Sequence, residues 1–175
     1  MDALRKLGEA FPIAEAVKVG LIGKNCYESP LACRYILWRY EEYLAQLAGK
    51  GATVDEQVRQ AIWNERADDS IEHIFPQNPE QGGAWDGKMR RGKGKPCLVS
   101  DHVGRIGNLL VLPQVLNEEA KRQGFQQKKP IYEKHNLRMV AEVTQKDDWN
   151  LSQIDDREVR IAEFAMIAWG DLTKD

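Results

Sequence analysis

A carboxylate next to an imidazole, Glu72-His73, is followed along the chain by two amides, Asn108 and Asn117. These side chains suit hydrolysis of a phosphodiester. That reaction needs a base for the attacking water, a cation facing the phosphate oxygens, and a grip on the backbone. An imidazole titrates near working pH, so His73 is the candidate base. Glu72 offers a hard carboxylate oxygen and Asn117 a carbonyl oxygen. Mg²⁺ commonly takes one or two protein oxygens and completes its octahedron with water and substrate phosphates. Taken singly, Glu-His is a common dipeptide, Asn108 after Gly107 a turn residue, and Asn117 a helix-end or surface residue. The ordered set, with a glycine-rich basic stretch between its parts, carries the reading. His102 and His135 have no partner that the sequence identifies.

The overall charge of −2 hides a local excess of positive charge. Lys88, Arg90, Arg91, Lys93 and Lys95 follow a single acid, Asp86. Farther on, Lys121, Arg122, Lys128, Lys129, Lys134 and Arg138 face only Glu119 and Glu133. A local patch, not the total, is what phosphate binding requires. Lys88, Arg90, Arg91, Lys93, Lys95, Lys121, Arg122 and Lys129 are the candidate nucleic-acid contacts. Trp85 stands in the basic loop, where it either anchors that loop or stacks on a base, with anchoring favoured.

Elements must bring these residues together. Apolar spacing predicts helices over 1–20, 31–48, 54–63, 114–123, 131–143 and 152–172, with Ser152 capping the last. Strands are predicted over 71–75 and 105–112, the second stopped by Pro113. Adjacent strand residues point to opposite faces, so Glu72 and His73 share a site only where the strand twists or ends. The intervening stretch, rich in glycine from Gly82 to Gly94, excludes a long regular element. The fold class expected is α+β, mostly helical. A helical segment over 1–64 packs on a core over 65–175.

Cys26, Cys33 and Cys97 form no CxxC pair, so they read as reduced thiols of a cytoplasmic protein rather than a closed zinc site. No secretory signal or membrane-length apolar run is visible.

Glu72-His73-Ile74-x-Pro76, Ile106-Gly107-Asn108-Leu109-x-x-Leu112, Asn117 and Phe125-x-x-Lys128 occur in that order, continued by Tyr132, Trp149, Ile154 and Arg157. Over roughly residues 65 to 160 this set resembles the C-terminal His-Me finger (HNH-type) nuclease domain of GmrSD-type modification-dependent restriction enzymes. A similar domain occurs in phosphorothioate-sensing nickases. The resemblance implies a ββα-metal core wrapped by flanking helices. It makes His73 the general base, with Asn108 bracing the hairpin loop and orienting it. It makes Glu72 and Asn117 the metal ligands, and sets Lys128 against the scissile phosphate with Lys121 as its competitor. Asparagine at the third position favours Mg²⁺ or Mn²⁺ over Zn²⁺.

The activity expected is therefore that of a divalent-metal-dependent DNA endonuclease or nickase, the effector of an anti-phage restriction system. The alternatives are a DNA-binding module that does not cleave and an RNA nuclease of the same fold. No Walker-type phosphate loop occurs, so the resemblance implies a separate N-terminal sensing or NTPase domain that selects the target.

Overall fold

The computed structural model describes residues 19–49, 54–89 and 98–170. Residues 1–18 of the first predicted helix lie outside that range, as do Arg90, Arg91, Lys93, Lys95 and Cys97. The described chain is mostly helical with one two-stranded sheet.

Helix α1, Pro30–Leu47, opens with proline at its first position, where a missing N–H costs nothing. Helix α2, Glu56–Asn64, is capped by Asp55, whose Oδ1 accepts from Gln57 N and Val58 N at 2.8 and 3.3 Å. Arg34 of α1 fixes the exit of α2. It donates to the Ile62 and Glu65 carbonyls at 3.0 and 2.9 Å and lies 4.5 Å from the Trp63 ring centre.

Strand β1, Ile71–His73, pairs antiparallel with β2, Leu109–Val111, placing Glu72 opposite Leu110 and His73 opposite Leu109. Backbone bonds extend the ladder at both ends, from Leu112 N to Ser70 O and from Ile74 N to Asn108 O, each 3.0 Å. All six strand residues are buried. A two-stranded sheet is not stable alone, so helices must cover both its faces.

The second strand is shorter than its apolar run predicts. Ile106–Asn108 forms a 3₁₀ turn, so Asn108 precedes β2 instead of lying within it. The cause is helix α6, Leu151–Gly170, which crosses directly over that turn. A Cβ on Gly107 would stand 2.1 Å from the Ile154 carbonyl oxygen. Buried Arg157 of α6 donates to the carbonyls of Ile106, Gly107 and Leu109 at 3.3, 3.0 and 2.7 Å, which holds the tight turn.

After β2 come α3, Gln114–Ala120, and α4, Phe125–Tyr132. The helix predicted over 131–143 is broken, and a separate α5 spans Arg138–Thr144. Its first N–H groups are capped from α1: Glu41 accepts from Arg138 N and Met139 N, both at 2.8 Å. Helix α6 starts one residue before the predicted Ser152 cap. Asn150 Oδ1 accepts from Ser152 N at 2.9 Å while Gln153 Oε1 accepts from Asn150 N at 3.2 Å, a reciprocal cap set two positions earlier.

One apolar core runs through all these elements, from Leu21 to Ala165. Among the described residues no helix is long and apolar enough to cross a membrane.

Candidate functional site

Regular pairing of β1 ends at His73, and the chain turns there because Asn108 holds the next segment. Asn108 is fully buried. Its Oδ1 accepts from Phe75 N at 2.9 Å and Trp149 Nε1 at 3.1 Å; its Nδ2 donates to the Phe75 and Val103 carbonyls, both at 2.9 Å. The amide therefore braces the backbone just past His73. It has no bond to the imidazole. Glu72 and His73 both line a single cavity of about 610 Å³.

His73 is 8% exposed, and its Nε2 has no hydrogen-bond partner. The ring meets the edge of Tyr27, with centroids 4.5 Å apart. Burial, reinforced by the nearby Lys128 charge, lowers its pKa to about 4. The imidazole is thus neutral at working pH, and its unpaired Nε2 is itself buried. Tyr27 belongs to a 3₁₀ turn, Cys26–Glu28, far upstream in sequence. No local pattern marks it as a neighbour of His73.

Asn117 reaches the same cavity from α3. Its Nδ2 donates to the carbonyls of Asp69 and Ile71 at 2.8 and 3.0 Å. Both partners are acceptors, which fixes the amide orientation. Oδ1 is left without a protein donor among the described residues.

Glu72 is 2% exposed. Its Oε1 accepts from Lys128 Nζ and Tyr132 OH, each at 2.6 Å. Burial pushes the Glu72 carboxyl up and the Lys128 ammonium down from their ordinary ranges, while their contact opposes both shifts. Burial also raises Tyr132, so its hydroxyl stays a donor. Lys128 itself is fully buried and additionally donates to the His73 carbonyl at 2.8 Å.

The cationic wall is formed by Lys121 and Arg122, both exposed. Lys121 follows α3 with φ 32°, a conformation that favours glycine. Arg122 also borders a neighbouring cavity of about 450 Å³ beside Trp85 and Gln127. Lys88 is held by Asp148 at 2.5 Å, and Lys129 donates to the Lys146 carbonyl at 2.9 Å, so neither lines the cavity. Trp85 is an anchor: it is buried, donates to the Gln123 carbonyl at 3.0 Å, and packs on Phe75. Asp68 and Asp69 add negative charge to the wall; the sequence marks them only as a polar break.

Among the described residues no group of three or more His, Cys, Asp or Glu side chains is arranged to hold a metal alone. The cavity is lined by Asp68, Asp69, Glu72, Glu118 and Asn117, whose oxygens suit a hard cation that keeps several waters.

The family model of the C-terminal domain of GmrSD restriction endonucleases matches residues 11–164. No curated protein and no solved structure matches.

Proposed function

The chain belongs to the family of C-terminal domains of GmrSD restriction endonucleases, and from that premise we propose that it is a divalent-metal-dependent DNA endonuclease of the His-Me finger type. The observation that carries this reading is a single cavity lined by His73, Glu72 and Asn117, with the Asn117 carbonyl oxygen left without a protein donor among the described residues. In this reading the antiparallel β1–β2 pair and α3 would form a ββα-metal core, supported by α1 and α2.

In this reading Glu72 and Asn117 hold Mg²⁺ or Mn²⁺. When bound, the cation supplies positive charge against the phosphate and leaving oxygens. The His73 imidazole accepts a proton from the attacking water, whose oxygen bonds to phosphorus as the leaving oxygen departs. An imidazole with a pKa near 4 is always available but is a weak base. A phosphodiester anion entering the cavity raises that pKa toward working pH. Lys121 and Arg122 meet the backbone phosphates. Asn108 keeps the segment behind His73 in place. One site cuts one strand, so a single chain nicks duplex DNA. Target selection rests with a sensing or NTPase domain outside these residues, and the system acts in the cytoplasm against phage DNA.

The test is incubation of the purified chain with supercoiled plasmid and Mg²⁺, with and without chelator, beside His73→Ala. Nicked circles are expected from wild type with metal only. Equal cutting by a folded His73→Ala would remove His73 as the base. A labelled RNA in parallel separates an RNA nuclease from a DNA nuclease, and DNA binding without cleavage by wild type would favour a non-cleaving module.

A further inference from the structure

Lys128 and Tyr132 stand four residues apart on α4, hence on one face, and both side chains are fully buried. Both donate to the same atom, Glu72 Oε1, at 2.6 Å. A second donor bond from Lys128 to the His73 carbonyl at 2.8 Å ties this ammonium to the residue beside the carboxylate. The Trp85 ring closes over Nζ at 5.9 Å. An ammonium so enclosed has no path to a phosphate in the cavity. That contact falls to Lys121 and Arg122, which line it.

Two charge-assisted or phenolic donors on one oxygen fix the rotation of the carboxylate plane. The other oxygen, Oε2, carries no side-chain donor among the described residues. We propose that Lys128 and Tyr132 are positioning residues that clamp Glu72 Oε1, so that Glu72 meets a cation through Oε2 alone. The inference rests on the metal-dependent reading above. One-oxygen coordination suits the small, octahedral Mg²⁺ and Mn²⁺; Ca²⁺ takes more oxygens and readily accepts both of one carboxylate. The clamp is therefore a device for metal selectivity. Tyr132 acquires a role through it, and Lys128 becomes an internal counter-ion instead of a substrate contact.

The experiment is calorimetric titration of the full chain with Mn²⁺ and with Ca²⁺ in the absence of DNA. Wild type is compared with Tyr132→Phe, which deletes only a hydroxyl, and with Lys128→Met. Outer partners of metal ligands usually contribute about 10–100-fold to affinity. Tyr132→Phe is expected to weaken Mn²⁺ binding by about tenfold while Ca²⁺ binding holds or tightens, shifting the ratio of the two. A general loss of structure would lower both together, so an unchanged ratio overturns the clamp. So does a folded Lys128→Met that binds both ions as wild type does and loses only DNA affinity. Wild type that binds neither ion overturns the metal-site reading itself, and is thereby distinguished from failure of the clamp alone.

Discussion

The Asn108 carboxamide closes on both backbone polar atoms of Phe75, donating to its carbonyl and accepting from its N–H at 2.9 Å each. This contact holds the backbone just past the end of β1, behind His73. Aspartate is nearly isosteric but lacks the amine that serves the Phe75 and Val103 carbonyls. Asn108→Asp is expected to cost about 3 kcal/mol, since each buried group left unsatisfied costs roughly 1–3. Urea unfolding measures this; an unchanged midpoint would remove Asn108 as the brace. Plasmid nicking should fall with it even where the variant remains folded.

Gly107→Ala brings a Cβ within 2.1 Å of the Ile154 carbonyl oxygen and 2.9 Å of Glu158 N, both helix backbone that cannot rotate aside. Helix α6 must then lift from the turn that presents Asn108. Destabilisation of about 1–3 kcal/mol or more is expected, in the range of overpacked cores. Thermal unfolding reads it, and a wild-type Tm would mean α6 shifts freely.

Burial holds the His73 pKa near 4, below its ordinary 6.5. Between those values the unfolded chain binds a proton that the folded chain refuses. Stability contributed by the neutral ring is therefore intact above about pH 6.5 and is lost progressively as pH falls toward 4. The full effect is on the order of 3 kcal/mol. Other groups titrate in the same window, so the informative quantity is the difference between wild type and His73→Gln. The slope of stability against pH should be shallower in His73→Gln. Identical slopes would mean that the imidazole is protonated in the folded protein.

Lys121 carries its charge on a strained backbone at the cavity rim. Lys121→Gly relieves that conformation and removes the charge in one step. Stability is expected to rise by about 1 kcal/mol while affinity for duplex DNA falls. A variant both less stable and equally tight on DNA contradicts this pairing of strain with function.

Arg122 borders two adjoining cavities, whereas Lys88 is occupied by Asp148. Arg122→Ala should reduce the slope of log affinity against log salt by about 0.9, the value for one lost phosphate contact, and Lys88→Ala should leave it nearly unchanged. Fluorescence anisotropy over a salt series reads both. The reverse pattern would move the DNA path from α3 toward the basic loop.

Much of the molecule could be read from residue order. Apolar periodicity located α1 and α6 to within two residues, because each buries one continuous stripe whatever it packs on. Of the Glu72-His73, Asn108 and Asn117 series, the fold sets Glu72, His73 and Asn117 at one cavity and Asn108 behind it. Lys128 was also singled out, but its direction was not legible: a lysine sequence does not say whether its charge meets a ligand or a buried carboxylate. Contacts distant in sequence decided the rest. Arg157 and the close approach of Ile154 turned part of an apolar run into a 3₁₀ turn. The Glu41 carboxylate gave α5 a start that local residues do not signal. Tyr27 reached His73 without any motif. Local pattern governs hydrogen bonds between near neighbours, so it located the long helices and the chemical inventory, but neither α4 nor the start of α5. The bearing of each polar group depends on partners that only the folded chain brings within about 3 Å of one another.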